Sequence, residues 1–384
     1  MLLIKSGRLH LADGKSLIDH DILCEGGIIT KIGQNLAAPQ AKVIDATGMD
    51  VFPGLILPVC SIGSYGFTTT IKDHQETTDP IMPQLDILAS LDIQEIKLQH
   101  FARCCITSYG LSPGDSTLLS GSMALINSDG KTAADLVLVR KAAIKGNYTQ
   151  EVKSLFGAGR RMPYSRMAMH YMLDDAFRAA KAYMLEREKE DSKKAFDAKY
   201  EALIPVLKGE IPLVVNAHIQ REIEAMAELS LKYGIRVVIH GAYQIDRCAE
   251  RVMRAGCHVA LGDLTLYHHA INLQTDYRRV VEHYRQGLKL SLAANTDTPG
   301  LAGYEPVFWS AALLQRHGAT PAEVLDMLTI NTAAALGVEH LVGSLAVGKQ
   351  ADLFIAGGNP LERFDVGSEY TVIKGEISYR REVS

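Results

Sequence analysis

Short apolar runs alternate with amphipathic stretches through the middle of the chain. Eight of these runs predict strands, and the stretches between them, such as Glu222–Tyr233 and Ile245–Ala255, predict helices. Alternation of this kind is typical of a parallel sheet. About eight such units predict a closed TIM-like (β/α)8 barrel, with an open doubly wound sheet as the alternative. The candidate strands are Leu55–Val59, Cys105–Leu111, Met123–Asn127, Ala142–Lys145, Leu213–Asn216, Arg236–His240, His258–Leu261 and Leu290–Asn295.

The two ends of the chain show a different pattern, in which short alternating runs are separated by turns that contain glycine. Such runs at both ends predict that the termini meet in one accessory β domain. We therefore predict an α/β protein with a small β-sandwich from residues 1–54 and 341–384 and a barrel from residues 55–340. The strands predicted for the β domain are Leu2–Ser6, Asp21–Glu25, Ile28–Ile32, Val43–Asp45, Asp352–Ala356, Thr371–Lys374 and Glu376–Arg380.

Residues 171–204 form a long and highly charged stretch with a helical pattern. A run of charges on a helix usually faces solvent, so we interpret this stretch as a solvated helix and not as a binding element. It lies between the fourth and fifth predicted barrel strands, which predicts a helical excursion near the mouth of the barrel.

The composition excludes several classes of protein. The chain has 384 residues, of which 47% are hydrophobic and 22% charged, and these proportions exclude disordered, collagen-like and coiled-coil proteins. A net charge of −4 indicates neither a nucleic-acid-binding nor an acidic-membrane-binding surface. We see no membrane-spanning apolar run and no signal peptide. Six cysteines without a C-x-x-C motif indicate a reducing environment, so we expect a cytoplasmic location.

Long segments at both edges of the predicted barrel resemble the amidohydrolase superfamily. The segment Val43–Ile56 (VIDATGMDVFPGLI) resembles the entry to the barrel of that superfamily. Two later segments resemble the exit from the barrel of that superfamily, and these are Asn331–Gly337 (NTAAALG) and Gly343–Leu353 (GSLAVGKQADL). Between them, Lys208–Leu213 followed by Ala217–His218 is similar to the imidazolonepropionase-like branch, which includes exopeptidase-like and prolidase-like members.

This resemblance implies a distorted barrel with a small β-sandwich, and hydrolysis of C–N bonds of amides, cyclic amides or peptides in a small molecule. In the family, one or two divalent metals at the C-terminal ends of the strands activate water. Coordination lowers the pKa of bound water to about 7 and polarises the carbonyl group. Neutral histidine nitrogens and carboxylate oxygens are the ligands, and an aspartate transfers the proton to the leaving amine.

The first metal-binding element of the family is absent from this sequence. In the family, the first barrel strand ends in a His-x-His pair. The corresponding positions in this sequence hold Val59 and Ser61, which are not effective metal ligands. None of the thirteen histidines is two residues from another. Cys60, between the two positions, is interpreted as a buried apolar cysteine and not as a nucleophile.

Alignment leaves two interpretations open at the fifth and sixth strands. After Leu213–Val215 the ligand position holds Asn216, and His218 follows two residues later, about 6–7 Å along a strand. After the sixth strand, gapless comparison places Gly241 at the ligand position, whereas a shift of one residue places His240 there.

The eighth strand has a similar ambiguity. Direct counting places Asn295 at the position of the catalytic aspartate, whereas two additional residues place Asp297 there. An amide does not accept a proton near pH 7, so Asn295 cannot act as a base, but Asp297 can.

The remaining candidates rest on weaker patterns. Lys145 ends the fourth strand, where relatives can carry a metal-bridging carboxylated lysine, but we interpret it as an ordinary charged mouth residue. His268 and His269 follow the seventh strand, where loops at the mouth contact substrates, and a joint role in metal binding is not expected. Less specific candidates are Asp263 as a helix cap, Asp115 and Arg166 as substrate anchors, and His74 as a surface-loop residue.

Two hypotheses for function follow. In the first, His218, His240 and Asp297 hold one divalent metal, Zn or similar, and Asp297 also transfers the proton in an active hydrolase. In the second, the barrel binds no metal at the standard site. We favour this hypothesis because of the residue types at the ligand positions. The protein is then a degenerate amidohydrolase that binds a small molecule, regulates or scaffolds a relative, or uses metal-free chemistry. We expect a small-molecule ligand and association into homo-oligomers.

Overall fold

Two eight-stranded sheets organise the chain in the computed structural model, which describes residues 1–66, 72–95, 98–189, 191, 193–262, 264, 274–294 and 306–382. The strands are β1 (Leu2–His10), β2 (Ser16–Glu25), β3 (Ile28–Gly33), β4 (Lys42–Asp45), β5 (Asp50–Pro53), β6 (Leu55–Cys60), β7 (Ile106–Leu111), β8 (Leu119–Asn127), β9 (Val137–Asn147), β10 (Leu213–Ala217), β11 (Val237–Gly241), β12 (His258–Leu261), β13 (Lys289–Leu292), β14 (Leu353–Ala356), β15 (Ser368–Ile373) and β16 (Glu376–Arg380).

The helices of the described residues lie mainly between the strands of the second sheet. They are α1 (Leu98–Arg103), α2 (Ala133–Leu136), α3 (Gln150–Ala158), α4 (Arg166–Arg187), α5 (Ala198–Leu207), α6 (Gln220–Tyr233), α7 (Ala249–Arg254), α8 (Tyr277–Arg285), α9 (Pro306–Arg316), α10 (Pro321–Leu328) and α11 (Ile330–Leu336). The charged stretch predicted as one helical excursion is thus divided between α4 and α5. No helix of the described part is both long and apolar enough to cross a membrane.

The first sheet joins the two ends of the chain. Its order is β16-β15-β14-β5-β1-β2-β3, and β4 pairs with β1. The central contact is between β14 and β5, which run antiparallel with Phe354 opposite Phe52. These two rings also stack at 4.8 Å between their centroids, so the N-terminal and C-terminal segments share one apolar layer. The predicted boundaries at 54/55 and 340/341, and the layering of a sandwich, stay predictions.

The second sheet is a TIM-like barrel with one exception to the predicted alternation. Its strands follow chain order from β6 to β13, and these two end strands approach each other, so the sheet is nearly closed. However, β8 is antiparallel to both β7 and β9, so the prediction of eight parallel strand–helix units is wrong there. The connection 112–118 is too short for the crossover that a parallel strand needs, and a short connection produces an antiparallel pair.

Side chains on the barrel strands alternate between the interior and the helical layer. Val214 and Val238 belong to an interior apolar cluster that also contains Ile56 and Ala143. Their neighbours, such as Ile239, belong instead to the cluster formed with the surrounding helices. Because successive side chains on a strand point to opposite faces, residues two positions after the interior ones also face the interior.

Candidate functional site

Three polar side chains form the next layer of the barrel interior toward the C-terminal ends of the strands. Lys145 follows Ala143 by two residues on β9, Asn216 follows Val214 on β10, and His240 follows Val238 on β11. Parallel pairing aligns Asn216 with His240. The period of the strands therefore brings the three residues together at the end of the barrel where active sites of this fold lie.

Lys145 is the centre of this group. Its side chain is 0% exposed, and its Nζ lies 2.6 Å from Asn216 Oδ1 and 2.8 Å from Oδ1 of Asp115, which is in the connection between β7 and β8. A buried ammonium is tolerated when a carboxylate and further hydrogen bonds compensate its desolvation. Lys145 thus differs from the ordinary charged mouth residue that we predicted, because it is completely enclosed and paired.

Asn216 determines the proton position on His240. An ammonium can only donate hydrogen bonds, so the amide oxygen of Asn216 faces Lys145. His240 Nδ1 lies 2.6 Å from the same oxygen and must therefore donate to it. In the neutral imidazole the lone pair is then on Nε2, which is the nitrogen that can accept a proton.

His218 lies beyond the end of β10 and is positioned by β11. Its backbone N–H donates to Glu222 Oε2 at 3.1 Å, and its ring lies 5.2 Å from that of Tyr243. Gly241 has a φ of +89°, and a Cβ built on it would approach His218 Nδ1 to 2.2 Å. Gly241 is therefore the position over which the His218 imidazole packs, a role that requires the absence of a side chain.

Glu222 supports this arrangement and was not identified from the sequence. Its buried carboxylate accepts the backbone N–H of His218 and pairs with Arg166 Nη2 at 3.0 Å. Arg166 is thus adjacent to the site, and its role as a substrate anchor stays a prediction. The available signal was the acidic residue in the first turn of α6, where a carboxylate satisfies free backbone donors.

The end of β6 contributes apolar and backbone-bonded groups. Val59 is buried in the interior apolar cluster. Ser61 is also buried, and its Oγ donates to the carbonyl oxygen of Ser112 at 3.1 Å. Cys60 is buried, in agreement with its interpretation as an apolar cysteine.

The structure does not describe five of the predicted residues, which are Asn295, Asp297, His268, His269 and Asp263.

The prediction of a surface loop for His74 is wrong. The residue is buried, and its Nδ1 lies 2.9 Å from the carbonyl oxygen of Ser64. Its ring also makes an edge contact with Tyr65, with centroids 4.8 Å apart. Burial lowers the pKa of His74, so the packing of this loop favours a neutral imidazole.

Among the described residues, the donors at the strand ends do not complete a ligand set for a divalent metal. Asn216 Oδ1 and His240 Nδ1 are hydrogen-bonded to each other, and the same oxygen accepts a bond from the Lys145 ammonium. A positive charge at this distance from a ligand oxygen repels a second cation. Within the ranges given above, no group of three or more His, Cys, Asp or Glu side chains could hold a metal ion.

The protein belongs to the class of TIM-like barrels with polar side chains at the C-terminal ends of their strands. The family model described as "Amidohydrolase family" matches residues 179–378, which is more than half of the chain. The chain therefore belongs to the amidohydrolase family, as the sequence predicted. Membership supports a hydrolase of C–N bonds as the kind of protein.

Individual relatives agree with this assignment. The protein named "Probable imidazolonepropionase" of Xenopus tropicalis is 29% identical over 163 residues, covering 41% of this chain and 37% of the relative. A dihydroorotase of Lactococcus lactis is 30% identical over 180 residues, covering 40% of this chain and 41% of the relative. These matches thus span less than half the length of either relative. A solved amidohydrolase from Thermotoga maritima MSB8 is 25% identical, covers 99% of this chain and 100% of its own, and has a TM-score of 0.90.

Proposed function

We propose that this protein binds a small amide or cyclic amide at the C-terminal end of its barrel without the binuclear metal centre of its family. The supporting observation is the Lys145 ammonium, which is fully buried among groups at the ends of β9 to β11. Asn216 and Asp115 hold this charge in place beneath the strand ends, where its electrostatic field favours the carbonyl oxygen of an amide bound above it. Val59, Ser61 and Asn216 stand where the family carries histidines, which agrees with this interpretation.

A second candidate function is metal-free hydrolysis of the bound amide. It is favoured by the geometry that holds His240 Nδ1 on Asn216 and leaves Nε2 as the basic nitrogen. In this reaction Nε2 accepts a proton from water, the water oxygen attacks the carbonyl carbon, the C–N bond breaks, and Nε2 returns the proton to the leaving nitrogen. The enclosed Lys145 ammonium would favour the oxyanion through its electrostatic field and not through direct contact.

The metal content and the ligand preference test the proposal together. We expect the full chain, purified without chelator, to contain well below one equivalent of Zn, Mn, Fe or Ni by elemental analysis. Dihydroorotate, an imidazolone, N-acyl amino acids and proline dipeptides would be screened by thermal shift. At least one should stabilise the protein, and addition of a chelator should not remove the effect.

Matched histidine variants distinguish the possibilities. His240→Gln should weaken binding about tenfold, the loss expected for one charge-assisted or polar contact, whereas His340→Gln at an exposed position should not. Turnover that is insensitive to chelator and lost in His240→Gln would establish the second candidate. A full equivalent of metal, lost together with activity in His218→Gln or His240→Gln, would overturn both. The cytoplasmic location and the homo-oligomeric state stay predictions.

A further inference from the structure

A polar cavity lies at the end of the barrel opposite the candidate functional site. It has a volume of about 570 Å³ and is formed where β11, β12 and β13 begin and where α11 covers the barrel. It is lined by Arg236, which immediately precedes β11, and by His258 and Lys289, which begin β12 and β13. Because the C-terminal ends of the strands carry the Lys145 cluster, this cavity is separate from the candidate functional site.

The two cations of the cavity are bonded weakly. Arg236 Nη2 lies 3.4 Å from the carbonyl oxygen of Ala334, and Lys289 Nζ lies 3.4 Å from that of Gly256. Both distances are at the long end of the hydrogen-bond range. Among the described residues, neither side chain forms an ion pair with a carboxylate, although Glu339 also lines the cavity. These charges are therefore available to a ligand.

His258 lies between the two cations and is itself neutral. It is buried, and its Nε2 lies 3.1 Å from Ser291 Oγ. Burial, together with the charges of Lys289 and Arg236, lowers the pKa of His258 to about 3. With a neutral histidine, two cations and one carboxylate, the lining has a net charge of +1 at neutral pH.

We propose that this cavity binds a small dianionic molecule, with its charged group between Arg236 and Lys289. The planar guanidinium of Arg236 can form paired hydrogen bonds with a phosphate or carboxylate, and the Lys289 ammonium adds a point charge. Asn331 and Tyr284 supply further polar groups on the wall, with Asn331 Nδ2 3.3 Å from the Tyr284 hydroxyl. A phosphate monoester and a dicarboxylate share this chemistry, and both are small enough for the cavity.

Calorimetric titration of the full chain tests the proposal. Inorganic phosphate, adenosine 5′-monophosphate and succinate would be titrated separately in a low-salt buffer that contains none of them. At least one should bind with a Kd below about 1 mM, and its affinity should fall as salt is added. Preference for the phosphates or for succinate identifies the source of the dianion. Failure of all three to bind with a Kd below about 1 mM would overturn the proposal.

Variants locate the binding. Arg236→Gln and Lys289→Gln should each weaken binding about tenfold, because each removes a charge-assisted contact. Ala334→Phe should also weaken it, since it fills the cavity without removing a charge. Lys31→Gln is the matched control, because Lys31 is exposed on β3 in the other sheet. Equal weakening in Lys31→Gln, or unchanged binding in the three cavity variants with unaltered thermal unfolding, would show that the site is elsewhere.

Discussion

At the C-terminal end of the barrel the Lys145 ammonium is 0% exposed and lies 2.8 Å from the Asp115 carboxylate. At the N-terminal end, Arg236 and Lys289 line a cavity, and their hydrogen bonds to described partners go to backbone carbonyls at 3.4 Å. The first charge is enclosed and compensated within the fold. The other two have been left at a solvent-accessible wall, where an added ligand can compensate them.

The charge of Lys145 therefore has to be paired for the fold to be stable, whereas the fold only positions the charges of Arg236 and Lys289. An enclosed ion loses its hydration, so the free energy of folding depends on the partner that compensates its charge. A cation with water access keeps most of its hydration and contributes little to stability. The four predictions below test whether the two ends differ in this way.

The largest effect is expected from Asp115→Asn. This change removes the carboxylate partner of a fully buried ammonium and should lower the free energy of unfolding by about 3 kcal/mol, measured by urea denaturation at pH 7. Asp129→Asn, at an exposed position, is the control. Adding Lys145→Met to Asp115→Asn should recover part of the loss, because the unpaired charge is then gone. Additive losses in the double variant would contradict the buried pair.

Acid should destabilise the N-terminal end through His258. Its pKa in the folded protein is lowered to about 3, below the ordinary value of 6.5, so the unfolded chain binds the proton more readily. Stability from this group is present above pH 6.5 and is lost as the pH falls toward 3. Between pH 6.5 and 4.5 the loss should be about 2–3 kcal/mol.

His258→Gln should flatten this part of the pH profile of the free energy of unfolding. His340→Gln, at an exposed position, should leave the profile unchanged. A profile of His258→Gln with the same slope as that of the unmodified chain would contradict a neutral buried imidazole.

Alanine substitutions at two glycines test how tightly the two ends of the barrel are packed. Gly241 has a φ of +89°, and a Cβ there would lie 2.2 Å from His218 Nδ1, whereas Gly256 has a φ of +67° and nothing within 4 Å. Gly256→Ala should therefore cost about 1 kcal/mol from backbone strain alone, and Gly241→Ala about 1 kcal/mol more from the collision. Thermal unfolding of the two variants measures the difference. Equal losses would mean that His218 does not pack on Gly241.

The smallest effect is expected where the charges are free to bind a ligand. Arg236→Gln and Lys289→Gln should each change the free energy of unfolding by less than about 0.5 kcal/mol in phosphate-free buffer. Urea denaturation with and without a bound dianion measures this directly, because the ligand should stabilise the chain that retains both cations more than either variant. A loss of several kcal/mol without ligand would place these cations in the same structural class as Lys145.

Much of the fold could be predicted from local patterns of apolar and polar residues. All eight predicted barrel strands overlap observed strands, and His258–Leu261 coincides with β12. The segments Val43–Ile56 and Gly343–Leu353 led to the correct family. The direction of β8 was missed because the pattern of apolar residues identifies a strand but carries no information on its direction, which depends on the short connection 112–118.

The site was predicted only in part. The sequence placed Asn216 at one ligand position, with His218 two residues later, and left Gly241 and His240 as alternatives at the next, since each position follows an apolar strand. It treated Lys145 as an ordinary charged residue, because burial of a charge depends on partners elsewhere in the chain. Asp115 was considered only as a substrate anchor, and its pairing with Lys145 came from the structure. Glu222 became relevant only through its contact with the backbone of His218.

The sequence by itself determined the strands, the family and the absence of a His-x-His pair, because these properties are local. The tertiary structure decided that Lys145 meets Asn216, 71 residues away, and that His240 meets the same amide oxygen, 24 residues away. It also decided that Arg236 and Lys289 line one cavity at the opposite end. Such meetings depend on strand register and barrel closure, which sum many weak contacts over the whole chain. No short segment carries that information.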